Sequence, residues 1–464
     1  MERFPPFASL APAEGTRRPG HSVADATAIL HRLAYVKQRL AIAAAAYLPS
    51  IPEWEAKCAL ALHGWLDAEH AEQLYSRIAE LREPPPGAKD VPDARLEAAL
   101  DEMFAAGDTR GRIAAVHGVV RPLFRSAVAD YLRGTNPLCD QPSTRVLTAI
   151  QHEEEVIGRW GDAAAASVAS SPEAIDWTGH LGAWVEAAGG VDGRRPAGNS
   201  PPARFSRPYR FAVLPRRDER FAGLFDPSTP ADLVYLDETR DADERNAALM
   251  FKRLREMDVP ELIAGIIAEH WAEERNARPA EPRKWTYYTA MFRQMWDEAR
   301  HAMLGQALME SRGVDWTTLP VNVTFSWKLA RHCSPLERHI LLYAIEQSLM
   351  PRDRGKPYEH RVAAASGDPL SALFHDFDWA DEVLHVDIAR RCLKPELPGG
   401  LAEARQRADA LWSRIAERLA ADPLPADGDP RAVRDWWPRF ARSVLGRDVA
   451  PVPDTDVKNW RPIE

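Results

Sequence analysis

Two segments of this chain carry residues well suited to binding a metal ion, because each places a glutamate three residues before a histidine. The segments read Asp297-Glu298-Ala299-Arg300-His301 and Asp381-Glu382-Val383-Leu384-His385. Positions three apart share one face of a helix, so each Glu and His can bind the same ion. The aspartate four residues before each histidine can hold the other ring nitrogen of that same histidine. Only these two of the 14 histidines have this spacing, so coincidence is a poor explanation and the pattern predicts a metal site.

Two further glutamates complete such a site from two other helices. Glu346 stands in an otherwise apolar helical run, where a buried carboxylate without a cationic neighbour is costly unless it binds a metal. In the preceding acidic helix, Glu269 follows the apolar stripe most closely, and Glu273 and Glu274 are the alternatives. A metal pair in a four-helix bundle needs one carboxylate from each of these helices, so we select Glu269 and Glu346.

The order of these residues resembles that of the ferritin-like di-iron carboxylate superfamily. The matching set is Glu269, then Glu298 and His301, then Glu346, then Glu382 and His385. The Asp-Glu-Ala-Arg-His segment also resembles one in bacterial multicomponent monooxygenase hydroxylases, although the second copy lacks the arginine. The resemblance covers roughly residues 260–393.

The resemblance implies a non-haem di-metal oxidoreductase. Such an enzyme would hold two iron ions, or a Mn/Fe or Mn/Mn pair, and would use dioxygen to hydroxylate, N-oxygenate or oxidatively cleave a small organic substrate. An electron donor such as a ferredoxin or a reductase is the implied protein partner. A ferroxidase or iron-binding ferritin-like protein and a manganese catalase are the alternatives within the same superfamily.

Three residues near this predicted site are candidates for a catalytic role. His375 and Asp378 lie seven and four residues before Glu382, and therefore share its helical face. Each suits an extra ligand, a proton shuttle or a hydrogen-bonded core residue, and the last is favoured for His375. Tyr343 lies one turn before Glu346 and could donate a hydrogen bond into the site, with a core tyrosine as the equal alternative.

The first half of the chain looks like an altered copy of the second. The aligned pairs are Asp67 with Glu298, His70 with His301, His117 with Glu346, His152 with Glu382, Glu155 with His385 and Gln38 with Glu269. We infer a duplicated bundle whose N-terminal copy has lost the standard ligands. The favoured interpretation is a buried polar network of Asp67, His70, His117 and His152, and the alternative is a separate histidine-rich metal site.

The elements that must position these residues are amphipathic helices, since apolar residues recur at three- and four-residue spacing along most of the chain. Ser334 starts one of them, with Pro335 at its first position and Glu337 completing a capping box. The pattern predicts an all-α fold of two tandem ferritin-like four-helix bundles with a long irregular interdomain connection. We place the degenerate bundle at 24–187, the connection at 188–241, the di-metal bundle at 242–398 and a C-terminal helix and tail at 399–464. Within the connection, the apolar runs 211–214 and 233–236 could form a small strand pair.

Composition excludes several other classes of protein. The 464 residues carry a net charge of −9, which leaves no basic footprint for nucleic acid. No apolar run is long enough to cross a membrane, and the four cysteines are widely separated. We therefore predict a cytoplasmic, bacterial protein that contacts no membrane and binds a small molecule, and homodimer formation stays open. Nucleotide-binding and serine-hydrolase motifs are absent from the sequence.

Overall fold

Every regular element in the described part of this chain is a helix, which confirms the predicted all-α fold. The computed structural model describes residues 4, 6–10, 13–82, 84, 90–168, 176–196, 200–205, 211–221, 228–277, 281–319, 324–421 and 430–452. The helices of the first half are α1 (Ala13–Thr16), α2 (Val23–Tyr47), α3 (Trp54–Ala79), α4 (Ala94–Met103), α5 (Thr109–Ile113), α6 (Arg121–Gly134), α7 (Gln141–Ser167) and α8 (Trp177–Ala187). Those of the second half are α9 (Ser228–Tyr235), α10 (Ala242–Arg255), α11 (Asp258–Ala277), α12 (Trp285–Ser311), α13 (Thr324–His332), α14 (Pro335–Ser348), α15 (Lys356–Ala365), α16 (Pro369–Leu393), α17 (Gly400–Ala421) and α18 (Pro430–Leu445). A π-helical segment, Ala114–Val120, joins α5 to α6, and short 3₁₀ turns occur at Pro6–Ser9, Leu48–Ser50 and Trp316–Thr318.

The chain divides into two compact units, and each unit is assembled from stretches that are separate in sequence. Unit 1 comprises Met1–Tyr47, His63–Arg210 and Glu274–Thr289. Unit 2 comprises Leu48–Leu62, Phe211–Glu273 and Ala290–Glu464. The sequence prediction drew only continuous segments, because hydrophobic periodicity along a chain carries no record of which distant segments pack together.

The predicted strand pair at 211–214 and 233–236 is wrong. Leu233, Val234 and Tyr235 belong to α9, and residues 211–214 form no strand. A short apolar run is compatible with either a buried strand or a helix turn, and periodicity alone does not separate them. The stretch 188–241 is therefore not wholly irregular.

In unit 2, the helices that hold the site begin at identifiable capping residues. The Ser334 side chain accepts from the backbone of Glu337 and the Glu337 side chain accepts from the backbone of Ser334, which confirms the predicted capping box of α14. Asp368 caps α16, which starts with Pro369 in its first turn. α16 packs on α14 and α15, and α15 packs on α10. These contacts bring the ends of α10 and α15 to the polar face of α16.

Candidate metal centre

Four buried side chains from three helices of unit 2 form a compact group of metal-binding atoms. We call this group, made of Glu298, Glu346, Glu382 and His385, the His385 half-site. One nitrogen or oxygen atom from each side chain lies within 4.8 Å of the others. α12 carries Glu298, α14 carries Glu346, and α16 carries Glu382 and His385. The structure thus brings together residues that the sequence predicted as ligands from widely separated segments.

The Nδ1 atom of His385 faces the three carboxylates. It lies 3.3 Å from Oε1 of Glu298, 3.3 Å from Oε2 of Glu382 and 4.0 Å from Oε1 of Glu346. Nε2 of Gln294 donates to Oε1 of Glu346 at 2.9 Å. No lysine or arginine among the described residues pairs with Glu298 or Glu346. His385 is thus the basic side chain that these two buried carboxylates share, which is less positive charge than two buried carboxylates need.

A second group, made of Glu256, His301 and Asp378, lies beside the first, and we call it the His301 half-site. Nδ1 of His301 is 3.3 Å from Oδ1 of Asp378 and 3.5 Å from Oε2 of Glu256. The same Nδ1 is 3.5 Å from Oε2 of Glu298 and 3.9 Å from Oε1 of Glu382. Glu298 and Glu382 thus turn one oxygen toward each histidine, which is the arrangement of carboxylates shared by two cation positions.

Two buried cations already contact the His301 half-site. Nζ of Lys356 lies 2.9 Å from Oδ1 of Asp378, and it also lies 2.6 Å from Oε1 of Glu382, which belongs to the His385 half-site. Arg253 pairs with Asp378 and, at 2.7 Å, with Glu256. Burial disfavours the ammonium of Lys356, but Asp378, Glu256 and Glu382 outweigh burial and hold the pKa of this lysine well above its usual value. Lys356 is therefore a fixed positive charge inside the bundle.

The aspartates of the two motifs contact the histidines, but each reaches the histidine of the other segment. Oδ2 of Asp381 lies 3.1 Å from Nε2 of His301, and Oδ2 of Asp297 lies 3.5 Å from Nε2 of His385. This corrects the predicted pairing within one segment. The aspartate and the histidine of one segment are one turn apart, so their side chains project side by side from the same helix. Each aspartate therefore points toward the facing helix and contacts the histidine of that helix. An acceptor at Nε2 favours the tautomer whose Nδ1 lone pair is open to a metal.

Arg300 links the two aspartates. Its Nη2 lies 2.7 Å from Oδ1 of Asp297 and 2.8 Å from Oδ2 of Asp381. Arg293 donates to Oδ2 of Asp297 at 2.8 Å. One arginine therefore orients the aspartates of both segments, which gives a physical reason why the second segment can carry Leu384 at the corresponding position.

The pKa values in the His385 half-site reflect a deficit of positive charge. Burial, reinforced by the neighbouring Glu382, raises the pKa of Glu346 well above its usual value. Burial disfavours protonated His385, but hydrogen bonds with Asp297, Glu298 and Glu382 outweigh it and raise the pKa of this histidine well above its usual value. Protons on these two side chains supply positive charge that a bound metal ion would supply in their place. The donor set therefore fits a metal cation.

Glu269, selected from the sequence as a ligand, lies outside both half-sites. Its carboxylate pairs with Arg338 at 2.6 Å, and its side chain is 33% exposed. The alternatives also lie elsewhere, since Glu273 contacts His270 at 3.4 Å and Glu274 accepts from Tyr288 at 3.0 Å. The error lay in the helix chosen, because none of the three candidates on α11 reaches either half-site, and the glutamate that does is Glu256, at the end of α10. An apolar stripe indicates which face of a helix is buried, but not which helix faces the site.

The three candidate catalytic residues have different surroundings. The Tyr343 hydroxyl donates to Oε1 of Gln347 at 3.4 Å. Asp378 belongs to the His301 half-site, in the position of an extra ligand. His375 is buried, and neither ring nitrogen has a hydrogen bond within the described residues. Burial, followed by the charge of Arg253, lowers the pKa of His375 to about 3, so this histidine is neutral.

Sequence reasoning missed three residues of the centre, namely Glu256, Arg253 and Lys356. Arg253 and Glu256 lie at the end of α10, and Lys356 is the first residue of α15. Neither helix contains a Glu-x-x-His segment, so no spacing rule pointed to them. The one available signal was Gly355-Lys356-Pro357, because proline in the first turn marks a helix start and places the lysine at the helix end.

The polar network of unit 1 contains as many cations as carboxylates. Nζ of Lys37 lies 2.8 Å from Oδ1 of Asp67 and 2.5 Å from Oε1 of Glu154. Arg121 pairs with both carboxylates, and all four side chains are buried. Asp67 therefore does belong to a buried polar network, but its charged partners are Lys37 and Arg121.

Of the three predicted histidines, only His70 belongs to that network, since one of its ring nitrogens lies within 4.8 Å of carboxylate oxygens of Asp67 and Glu154. His70 lies 2.6 Å from Glu153, His117 packs against His63 with ring centroids 5.6 Å apart, and His152 is exposed on α7. The inward position on α7 is Glu154, two residues later, because a two-residue step rotates a helical side chain by about 200°.

Comparisons with known proteins give no family assignment for this chain. It matches no family model, no curated protein and no solved structure. None of the described helices combines the length and the apolar character needed to cross a membrane. Fold and site define an all-helical protein with buried carboxylate–histidine groups that can hold a metal ion.

Proposed function

We propose that this chain is a non-haem, metal-dependent oxidoreductase that uses dioxygen to oxidise a small organic substrate. The His385 half-site carries this proposal, because it joins three buried carboxylates to a histidine whose Nδ1 faces them. Carboxylate oxygens with an imidazole nitrogen favour iron or manganese. Either metal, bound there, would supply electrons for the reduction of dioxygen.

The surrounding residues hold the ligands in place and keep water out. Gln294 orients the Glu346 carboxylate through its 2.9 Å hydrogen bond. Asp297 holds the ring of His385 from the Nε2 side. The half-site is buried, and exclusion of bulk water strengthens the attraction between its carboxylates and a cation.

The reaction class is drawn from a resemblance. Glu346 and the two Glu-x-x-His segments resemble those of the ferritin-like di-iron carboxylate superfamily, which implies hydroxylation, N-oxygenation or oxidative cleavage of a small organic molecule. A ferredoxin or a reductase would supply electrons that the substrate does not.

Metal analysis after anaerobic loading with ferrous iron and desalting tests the metal site. We expect at least about one iron per wild-type chain. Glu346→Gln keeps the size of the side chain but removes a carboxylate ligand. Substitution of a residue that only hydrogen-bonds to a ligand typically lowers metal affinity by roughly 10–100-fold, so the iron affinity of this variant should fall by more than that. Glu269→Ala is the matched control, because Glu269 pairs with Arg338 outside both half-sites. Iron retention by Glu346→Gln, or less than one iron in the wild type, would overturn the proposal.

Oxygen consumption tests the oxidase part separately. The iron-loaded protein, with ascorbate as reductant, is placed in an oxygen electrode. The wild type and Glu269→Ala should consume dioxygen faster than the same concentration of free iron, and Glu346→Gln should not. Full metal binding without faster oxygen consumption would leave a metal-binding protein and refute the oxidase assignment.

A further inference from the structure

We propose that Lys356 occupies the second cation position of the centre, so that the wild-type chain binds one metal ion rather than a pair. This inference rests on the metal site proposed above, in the His385 half-site. It departs from the two-ion expectation drawn from the sequence. The contacts of Lys356, the position of Glu382, the pairing of the buried charges and the anchoring of the α15 start point to it.

The first observation is the set of contacts around the Lys356 ammonium. Its Nζ lies 2.6 Å from Oε1 of Glu382, 2.9 and 3.1 Å from the two oxygens of Asp378, and 3.6 Å from Oε1 of Glu256. Glu256 and Asp378 are two of the three members of the His301 half-site. The ammonium therefore contacts the carboxylates that would ligate a second metal ion.

The second observation is that Glu382 is shared between the two positions. Its Oε2 lies 3.3 Å from Nδ1 of His385, and its Oε1 lies 2.6 Å from Nζ of Lys356. One carboxylate thus bridges the proposed metal position and the ammonium. The lysine stands where the partner ion of a carboxylate-bridged pair would stand.

The third observation is the distribution of buried charge. In the His301 half-site, Asp378 pairs with both Lys356 and Arg253, and Glu256 pairs with Arg253. In the His385 half-site, Lys356 pairs with Glu382, but Glu298 and Glu346 have no lysine or arginine partner among the described residues. Cations are attracted to uncompensated buried carboxylates. One half-site is already neutralised by side chains, and only the other still needs a metal ion.

The fourth observation is the anchoring of Lys356. Its backbone N–H donates to the carbonyl of Leu349 at 2.9 Å, and the N–H of Gly355 donates to the carbonyl of Pro351 at 2.9 Å. A Cβ at position 355 would collide with the Leu349 carbonyl, so glycine is needed for this close approach. These backbone contacts fix the start of α15 against the end of α14. They therefore hold Lys356 beside the carboxylates of the His301 half-site.

Unit 1 also contains buried carboxylates that are paired with a lysine and an arginine. Lys37 lies between Asp67 and Glu154, and Arg121 pairs with both. There the sequence already predicted loss of the standard ligands. In unit 1 a lysine–arginine pair thus neutralises two buried carboxylates, and we infer that Lys356 and Arg253 do the same in the His301 half-site of unit 2.

Metal counting on the whole chain tests this inference, with manganese as the probe. We compare the wild type, Lys356→Met and the control Lys57→Met after loading with Mn(II) and desalting. Lys57 is also fully buried and pairs with a carboxylate, Glu261, at 2.8 Å, so the control removes a comparable ion pair. Circular dichroism and thermal unfolding establish that each variant is folded.

The inference predicts about one manganese per chain in the wild type and in Lys57→Met, and about two in Lys356→Met. Without the ammonium, Nδ1 of His301 and Oε2 of Glu256 become available as ligands, since neither has a hydrogen bond within the described residues. Electron paramagnetic resonance of the wild type should show an isolated Mn(II) ion, and Lys356→Met should show an exchange-coupled pair. If Lys356→Met does not fold, the wild-type spectrum alone tests the inference, because an isolated ion supports it and a coupled pair contradicts it.

Two ions or a coupled spectrum in the wild type would overturn the inference while supporting the proposed metal site. One ion in a folded Lys356→Met would also overturn it, because the lysine would then not be what excludes the second ion. No bound metal in any of the three proteins would instead refute the proposed function. The failure of the inference and the failure of the proposed function are thus different results.

Discussion

Replacing Asp297 with asparagine should weaken metal binding in the His385 half-site, even though Asp297 belongs to the other Glu-x-x-His segment. The reason is the crossed arrangement, in which Oδ2 of Asp297 lies 3.5 Å from Nε2 of His385. Asparagine keeps the shape of the side chain but removes the negative charge that attracts the Nε2 proton. The His385 ring then loses part of its orientation and of its basicity.

The magnitude follows from the contact distance. Partners behind a metal-bound histidine typically contribute about 10–100-fold in affinity, or about 1.4–2.7 kcal/mol. The 3.5 Å separation is longer than the usual hydrogen bond of about 2.7–3.2 Å, and asparagine still offers one oxygen. We therefore expect the lower end, a loss of about tenfold.

Asp381→Asn is the matched control. It makes the same chemical change, and Asp381 shares Arg300 with Asp297, but it contacts His301 at 3.1 Å instead. We expect it to lower affinity by less than about threefold, since the metal is proposed to sit beside His385. Titration with Mn(II) in competition with a chelator measures both constants. A larger loss in Asp381→Asn than in Asp297→Asn would show pairing within one segment and refute the crossed geometry.

Two further predictions concern stability. Burial and then Arg121 lower the pKa of His63 to about 3, so the unfolded chain binds more protons at this residue between pH 6.5 and about 3. The contribution of His63 to stability therefore falls by on the order of 5 kcal/mol as the pH drops through this range. His63→Leu should therefore show a shallower acid loss of melting temperature than the exposed control His152→Gln, and equal slopes would contradict the buried neutral histidine. Gly355→Ala should destabilise the protein by about 2 kcal/mol or more, because its Cβ would collide with the Leu349 carbonyl. Gly107→Ala, whose Cβ has nothing within 4 Å, should be nearly neutral by urea unfolding, and equal losses would show that the close approach at Gly355 is not formed.

The features predictable from sequence are those with a short-range physical signature. Periodic apolar residues indicated the long helices, and Ser334 with Glu337 indicated where α14 starts. The spacing of Glu298 and His301, repeated at Glu382 and His385, indicated two segments that meet in the structure. Each of these signals is confined to a few neighbouring residues.

The features that escaped prediction depend on contacts between distant segments. Glu256 and Lys356 lie at the ends of α10 and α15, and only the packing of these helices brings the two residues to the His301 half-site. Asp297 and Asp381 were expected to serve their own histidines, because sequence spacing does not show the facing helix. Glu269 was chosen from α11, whereas the glutamate that joins the His301 half-site is Glu256, at the end of α10.

X-ray diffraction from crystals of the iron-loaded wild-type chain, with anomalous data collected at the iron edge, locates the bound metal. We expect one strong anomalous peak per chain, enclosed by Glu298, Glu346, Glu382 and His385. The Lys356 ammonium, and no second peak, should occupy the His301 half-site. An iron-loaded crystal with no peak among those four side chains would contradict the claim that they form the metal centre.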